Sequence, residues 1–276
     1  MRYGVSLPQD PAGMDPVAVR DFAQAAEDLG YEFINGSDNL LDTDSGNVRH
    51  EPIIANTFMA ACTSKVTLGT SVLILPERQT AVVAKQLAEL DMLSSGRARL
   101  GIGLGSSEEE YRAVGMDMKT RGRRMEEQIH VLRAFWTQPV VTYKGRWHNI
   151  EGLGVNPLPP QRPIPIWVGG SSDAALKRIA KLADGWIPGG FSVEAVAPAI
   201  EQFNGYLKDA GRKPGDVAIQ ARLRILTGTP ESWLQARDGY EAAGATHLGI
   251  IINAPEYTSI DQHIKQIRGF MEAAKA

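Results

Sequence analysis

Short runs rich in β-branched and apolar residues alternate along the chain with longer stretches in which apolar residues return every three or four positions. The first pattern fits buried strands and the second fits amphipathic helices, so their alternation predicts parallel strands joined by crossover helices. Strands are predicted at Tyr3–Leu7, Glu32–Asn35, Val66–Leu73, Ala98–Ile102, Ile164–Val168, Gly185–Pro188, Val217–Ile225 and His247–Ile252. The helices that follow them are predicted at Pro16–Leu29, Pro52–Thr63, Thr80–Leu93, Arg123–Trp136, Ser172–Leu182, Val193–Ala210, Glu231–Ala243 and Ile260–Ala274. Eight such units favour closure into an α/β fold of the (β/α)8 TIM-barrel type over an open sheet. Helix punctuation agrees: Asp15-Pro16 reads as an N-cap followed by a first-turn proline, and Gly30, Gly211 and Gly244 stand where helices stop.

One connection is long, from Thr137 to Pro163. Its "VVTYKGRWHNI" predicts an insertion hairpin between strands 4 and 5, before the proline-rich "NPLPPQRPIP". An insertion of this length in a barrel is more often functional than decorative.

Composition narrows the picture without changing it. With 276 residues and 43% hydrophobic content, the chain can bury the core of one barrel domain covering 1–276. A net charge of −3 gives no electrostatic reason to expect a nucleic-acid or membrane partner, and a small-molecule substrate fits better. Cys62 stands alone, so no internal disulfide forms, and its helical setting suggests a small buried apolar residue. No apolar run approaches 18 residues and no leader pattern opens the chain, so a cytoplasmic location is expected.

In such a barrel the chemistry gathers at the carboxyl ends of the strands and in the loops after them. Four stretches there stand out. In "NGSDN", Asp38 can orient a substrate, accept a proton or merely close a turn. In "LGTSVLILP", the small residues Gly69, Thr70 and Ser71 interrupt an apolar strand, as a bulge, a barrel corner or a close approach to a flat ring requires. The glycines of "GIGLGSSEEE" do not fit the dinucleotide fingerprint, but they can wall a planar ring beside Ser106, Ser107 and Glu109. The strongest signal is "PIWVGGSSD", an apolar strand, a Gly-Gly-Ser-Ser turn and a helix start, where free amides and hydroxyls suit a phosphate. The alternative is that Ser172 or Asp173 serves only as an N-cap. "DGWIPGG" brings Gly189 and Gly190 close by, so two loops could grip one phosphate.

His50, His130, His148, His247 and His263 lack metal-ligand spacing, and no Gly-x-Ser-x-Gly elbow appears, so no metal is expected and the chemistry falls to an organic cofactor. The basic run Lys119–Arg124 opposes the dipole of the helix it precedes. Its arginines either pair with carboxylates such as Glu126 and Glu127 or attract an anionic cofactor tail.

The segments "AAEDLGYEFINGSDN", "LGTSVLILP", "AKQLAELDMLSSGRARLGIGLG", "EEYRAVG" and "PIWVGGSSDAALKRIAKLADGW" resemble, in order and spacing, the luciferase-like monooxygenase family over nearly the whole chain. "LGTSVL" and "LDMLSSGR" look most like the branch that uses the deazaflavin coenzyme F420 instead of FMN. The resemblance implies a cis peptide between Ser71 and Val72 backing the cofactor ring together with Thr70, with Gly105, Ser106 and Glu109 beside that ring. It also implies a phosphate loop at Gly169, Gly170, Ser171 and Ser172. Asp38 matches a carboxylate near the reactive centre. Asn39 stands where the family's sugar-phosphate and alcohol dehydrogenases place a catalytic histidine, and Ser106 where the sugar-phosphate enzyme has a catalytic glutamate, which argues against that substrate class. The expected activity is hydride transfer between reduced F420 and a small organic acceptor, with a proton donor among Glu109, Tyr111, Asp38 or water. An FMN-dependent monooxygenase needing a flavin reductase, and a cofactor-binding barrel without turnover, are the alternatives. By resemblance the chain is expected to form a homodimer.

Overall fold

The computed structural model describes residues 1–42, 47–252 and 254–276. Its strands are β1 (Arg2–Ser6), β2 (Phe33–Gly36), β3 (Thr67–Thr70), β4 (Leu73–Ile74), β5 (Ala98–Gly103), β6 (Val141–Lys144), β7 (Asn149–Leu153), β8 (Ile166–Gly169), β9 (Gly185–Ile187), β10 (Ala218–Arg224) and β11 (His247–Ile251). Its α-helices are α1 (Pro16–Leu29), α2 (Pro52–Cys62), α3 (Thr80–Leu93), α4 (Glu108–Ala113), α5 (Arg121–Thr137), α6 (Asp173–Leu182), α7 (Val193–Asp209), α8 (Pro230–Ala242) and α9 (Ile260–Lys275).

The main sheet runs β3-β2-β1-β11-β10-β9-β8-β5-β4, and a further β3–β5 pairing closes it into a parallel TIM barrel. The predicted third strand is broken: β3 and β4 both pair with β5, through Leu68↔Ala98 and Leu73↔Ile102, with Ser71 and Val72 bulged between them. The two halves share one barrel position, so the predicted eight positions stand. Local chemistry explains the helix ends. Asp15 accepts from the N–H of Val17 at 2.8 Å, Thr229 and Ser232 form a capping box, and Gly30, Gly211 and Gly244 all take positive φ. Arg97 donates to the carbonyls of Ala60 and Thr63 at the end of α2, where a cation suits the helix dipole.

Side chains on the outer face of the strands, such as Val5, Ile34, Leu68 and Leu100, are fully buried beneath the helices. The inner face is polar at its base. There Arg99 lies between the rings of Phe33 and Trp167, at 4.4 and 4.5 Å, and donates to Asn35 and Gln220 at 2.8 and 3.1 Å. Burial pushes Arg99 down to about 9, and burial with Arg99 beside it pushes His247 down to about 3, so this layer holds a neutral histidine.

The hairpin β6–β7 forms as predicted, but no part of it lines the main cavity. Glu127 of α5 accepts from the backbone N–H groups of Arg146, Trp147 and His148, and His148 meets Thr80 at 2.6 Å. The insertion is thus strapped to the outer layer, and the expectation of a functional insertion gains nothing from its position. Two further corrections concern boundaries. The helix expected from Arg123 begins at Arg121, and the acidic "EEE" opens a separate short helix, α4.

Candidate functional site

A cavity of about 810 Å³ occupies the carboxyl end of the barrel. One side of it is rich in glycine: Gly103 and Gly105 after β5 and Gly169 and Gly170 after β8, with the Val72 side chain of the Ser71–Val72 bulge against Gly103 and Gly169. The Ser71–Val72 peptide is cis, as the resemblance implies. Gly105 holds φ +65°, and a Cβ there would come within 2.8 Å of Ile74 Cγ2, so a larger residue would disturb the wall.

Asp38 organises the bulge. Its carboxylate is buried, accepting from the Ile74 N–H at 2.9 Å and from Arg78 at 2.8 Å, while its own N–H donates to the Val72 carbonyl at 3.2 Å. Arg78 also meets Glu51 at 3.0 Å. Both carboxylate oxygens of Asp38 are engaged, which suits positioning better than proton exchange. Asn39 instead bonds Asp42 and does not line the cavity.

At the other end of the glycine wall, Ser172 caps α6, accepting from the Ala175 N–H at 3.3 Å. The N-cap reading is therefore right for Ser172. It is also compatible with the phosphate reading, because capping one amide leaves the others of the first turn available. Asp173 is drawn to the side by Lys177, at 2.8 Å, and by Tyr206. Ser171 joins the two predicted loops, accepting from the Gly189 N–H at 2.7 Å. Gly169, Gly170 and Gly189 line the cavity, whereas Ser171, Ser172 and Gly190 lie outside its lining.

The remaining candidates sit farther back. Thr70 is buried, exchanging bonds with Gly101 across the β3–β5 seam. Ser106 and Glu109 are exposed and outside the cavity lining, and Glu109 only meets Ser107, at 3.4 Å. Tyr111 is buried and donates to the Leu104 carbonyl at 2.5 Å. The basic run does not pair as expected, since Glu126 holds Arg178 at 2.9 Å and Glu127 holds His148 and the hairpin. Arg121 donates to Met118 at 2.9 Å, and Arg121 and Arg124 act on Tyr111.

Three groups escaped the sequence reading. Asp10, 5% exposed, lines the cavity, and its Oδ2 lies 3.0 Å from Nε2 of the fully buried His263. Arg222 and Arg224 line the cavity from β10, with guanidinium carbons 4.5 and 3.9 Å from the Phe191 ring. Glu77 is buried behind Gly105 with neither oxygen hydrogen-bonded, and burial, then Glu110 and Asp38, push it up to about 7. Polar residues at alternate positions of "QARLR" were the available signal for the arginines, since a strand places them on one face. Asp10 and His263 are 253 positions apart, and nothing local joins them.

No group of three or more His, Cys, Asp or Glu suited to a metal occurs among the described residues, and no described helix is long and apolar enough to cross a membrane.

A family profile described as luciferase-like monooxygenase matches residues 1–274. The F420-dependent glucose-6-phosphate dehydrogenase of Kineococcus radiotolerans is 32% identical over 221 residues, covering 76% of this chain and 64% of that protein. The FMNH2-dependent dimethylsulfone monooxygenase of Pseudomonas fluorescens is 32% identical over 185 residues, covering 66% and 50%. The solved structure of an F420-dependent secondary alcohol dehydrogenase in complex with an F420-acetone adduct superposes with a TM-score of 0.84 at 16% identity, covering 100% of this chain and 99% of that one.

Proposed function

The chain belongs to the luciferase-like monooxygenase family, and on that premise we propose that it is an oxidoreductase passing hydride between the reduced deazaflavin coenzyme F420 and a small organic acceptor. The observation that carries this reading is the glycine-rich wall formed by the Ser71–Val72 bulge, Gly103, Gly105, Gly169 and Gly170, which ends at the start of α6. A wall of glycines faced only by the small apolar side chains of Val72 and Ile74 admits a planar ring, and a helix start beside it suits a phosphate. The residues fit the group: the bulge and Gly105 would back the ring, while the Gly169–Ser172 turn, with Gly189 and Gly190 beside it, would hold the phosphate. When bound, the reduced coenzyme supplies hydride and does not readily activate oxygen.

The chain's own residues orient the reactants and exclude bulk water. Asp38 fixes the bulge, and Leu7, Val72, Ile74 and Ile187 give the cavity apolar surfaces. Of the carboxylates that line the cavity among the described residues, Asp38 is fully bonded and Asp10 is turned to the buried His263 with both oxygens shielded, while Glu109 and Tyr111 lie outside the lining, so water is left as the group that exchanges a proton with the acceptor. Asn39 and Glu109 drop out of the catalytic set on this reading.

The FMN-dependent monooxygenase relative supports a second reading, in which the same turn holds FMN and a flavin reductase supplies the reduced form. The exposed apolar side chains of Ile54, Phe58 and Val82 on α2 and α3 support the expected homodimer. Fluorescence titration with F420 and with FMN tests the cofactor choice. F420 should bind at least about tenfold more tightly, a difference of roughly 1.4 kcal/mol. The reverse order would favour the oxygen-using reading, and no binding of either would overturn both.

A further inference from the structure

Resting on that cofactor reading, we propose that the acceptor is an anion whose carboxylate or phosphate group is held by Arg222 and Arg224. Along β10 the inward positions run Gln220, Arg222, Arg224 from the base of the barrel to its mouth. Gln220 is used up in the layer around Arg99, whereas the two arginines line the open cavity. Both guanidinium groups lie against the one Phe191 ring, which holds them at the cavity without using their N–H groups.

Their charge is not matched. Arg78, Arg133 and Arg178 each meet a carboxylate at 3.0 Å or less, but no ion pair involves Arg222 or Arg224 among the described residues. Arg222 donates to the Pro188 carbonyl at 3.1 Å, and its Nε is buried without a partner. Burial, then the neighbouring charge of Arg224, hold Arg222 below its ordinary range. Two cations on one ring repel each other, and an oxyanion bridging them would turn that cost into charge-assisted hydrogen bonds.

Their place in the ring of strands assigns them to the acceptor. Counting β1, β2, β3/β4, β5, β8, β9, β10 and β11 around the barrel, β10 stands directly across from the β3/β4 position. A ring backed by the Ser71–Val72 bulge would therefore turn its open face toward Arg222 and Arg224. The cofactor's own phosphate is provided for separately, at the turn after β8.

The test is calorimetric binding of benzoate, phenyl phosphate and the uncharged benzamide to F420-loaded protein, in the wild type, Arg224→Gln, Arg222→Lys and the double variant Arg222→Gln/Arg224→Gln. Wild type should prefer at least one of the anions over benzamide by about tenfold or more, with the preference falling as salt rises. Which anion binds better identifies the group as carboxylate or phosphate. Arg224 is exposed, so Arg224→Gln leaves folding intact; it should cut the preference several-fold, the double variant should abolish it, and Arg222→Lys should keep part of it. F420 affinity should change less than about twofold throughout. The proposal is overturned if wild type shows no preference for an anion, if the variants keep it, or if F420 affinity falls in step with it. Failure of F420 to bind wild type would instead sink the cofactor reading, and benzoate against benzamide on the unliganded protein would still decide the role of the arginines.

Discussion

Arg99 and the pair Arg222–Arg224 stand inside the same barrel, and both lie against aromatic rings, yet their surroundings differ in kind. Arg99 is enclosed by Phe33 and Trp167 and donates to two amide oxygens. Its Nη2 is bonded within the barrel, and the group borders a smaller cavity of about 300 Å³ at the base. The mouth pair lies against one ring, has no ion-pair partner among the described residues and borders the cavity. Aromatic stacking on arginine is therefore no mark of function by itself; Arg99 spends Nη2 on two side-chain oxygens, whereas Arg222 meets one backbone carbonyl and the Arg224 guanidinium has no hydrogen bond among the described residues. Buried polar groups in folded proteins are overwhelmingly bonded, so a cluster left open toward a cavity points to something that completes it.

The largest expected effect lies at the base. Arg99→Ala leaves a void and removes the donor for Asn35 and Gln220, and should cost about 3 kcal/mol or more in denaturant unfolding. A loss below about 1 kcal/mol would mean that the base layer is no more complete than the mouth.

Glu77 carries the contrast to carboxylates. Glu127 accepts from three backbone N–H groups and His148, whereas Glu77 has no hydrogen bond. Because its folded-state pKa is raised, to about 7, the protein binds more protons folded than unfolded between about 4.5 and 7. The stability this group contributes is present below about 4.5 and is lost as pH rises through about 7. Glu77→Gln should therefore gain stability relative to wild type between pH 5 and pH 8, by at most about 3 kcal/mol. A flat difference across that range would show that Glu77 has an acceptor's ordinary surroundings.

At the glycine wall, Gly170 holds φ +131°, and only Ala175 Cβ lies within 4 Å of an added Cβ. Gly170→Val should weaken F420 binding at least about tenfold while a cooperative thermal transition persists. Smallest of all is the effect expected from changing Arg121, Arg123 and Arg124 together to Gln. If they attract the glutamate chain of the coenzyme, affinity should fall a few-fold at low salt and not at all for a version lacking that chain. Equal effects on both versions would make the run ordinary surface.

The barrel was legible in the sequence because each strand and helix carries its own periodicity, and closure follows from counting them. The strand, glycine turn and helix start proposed to hold a phosphate were legible because they are contiguous from Pro165 to Asp173. The break at Ser71–Val72 was visible as small residues but not as two separate strands, since its geometry depends on Asp38, more than thirty positions away. Asp10 with His263, and Glu77 with Glu110, acquire meaning only when the fold brings them together. Glu109 and Ser106, read from the chain as lining a ring, prove exposed because α4 turns away from the cavity immediately after Gly105.

Amide hydrogen exchange with and without F420 locates the ligand on the wild-type chain. If F420 lies on the glycine wall, exchange slows in segments 71–74, 103–107 and 169–172, with no change in the hairpin 141–153, which is strapped to the outer layer. Protection absent from the glycine wall, or centred elsewhere while F420 is bound, would contradict that placement.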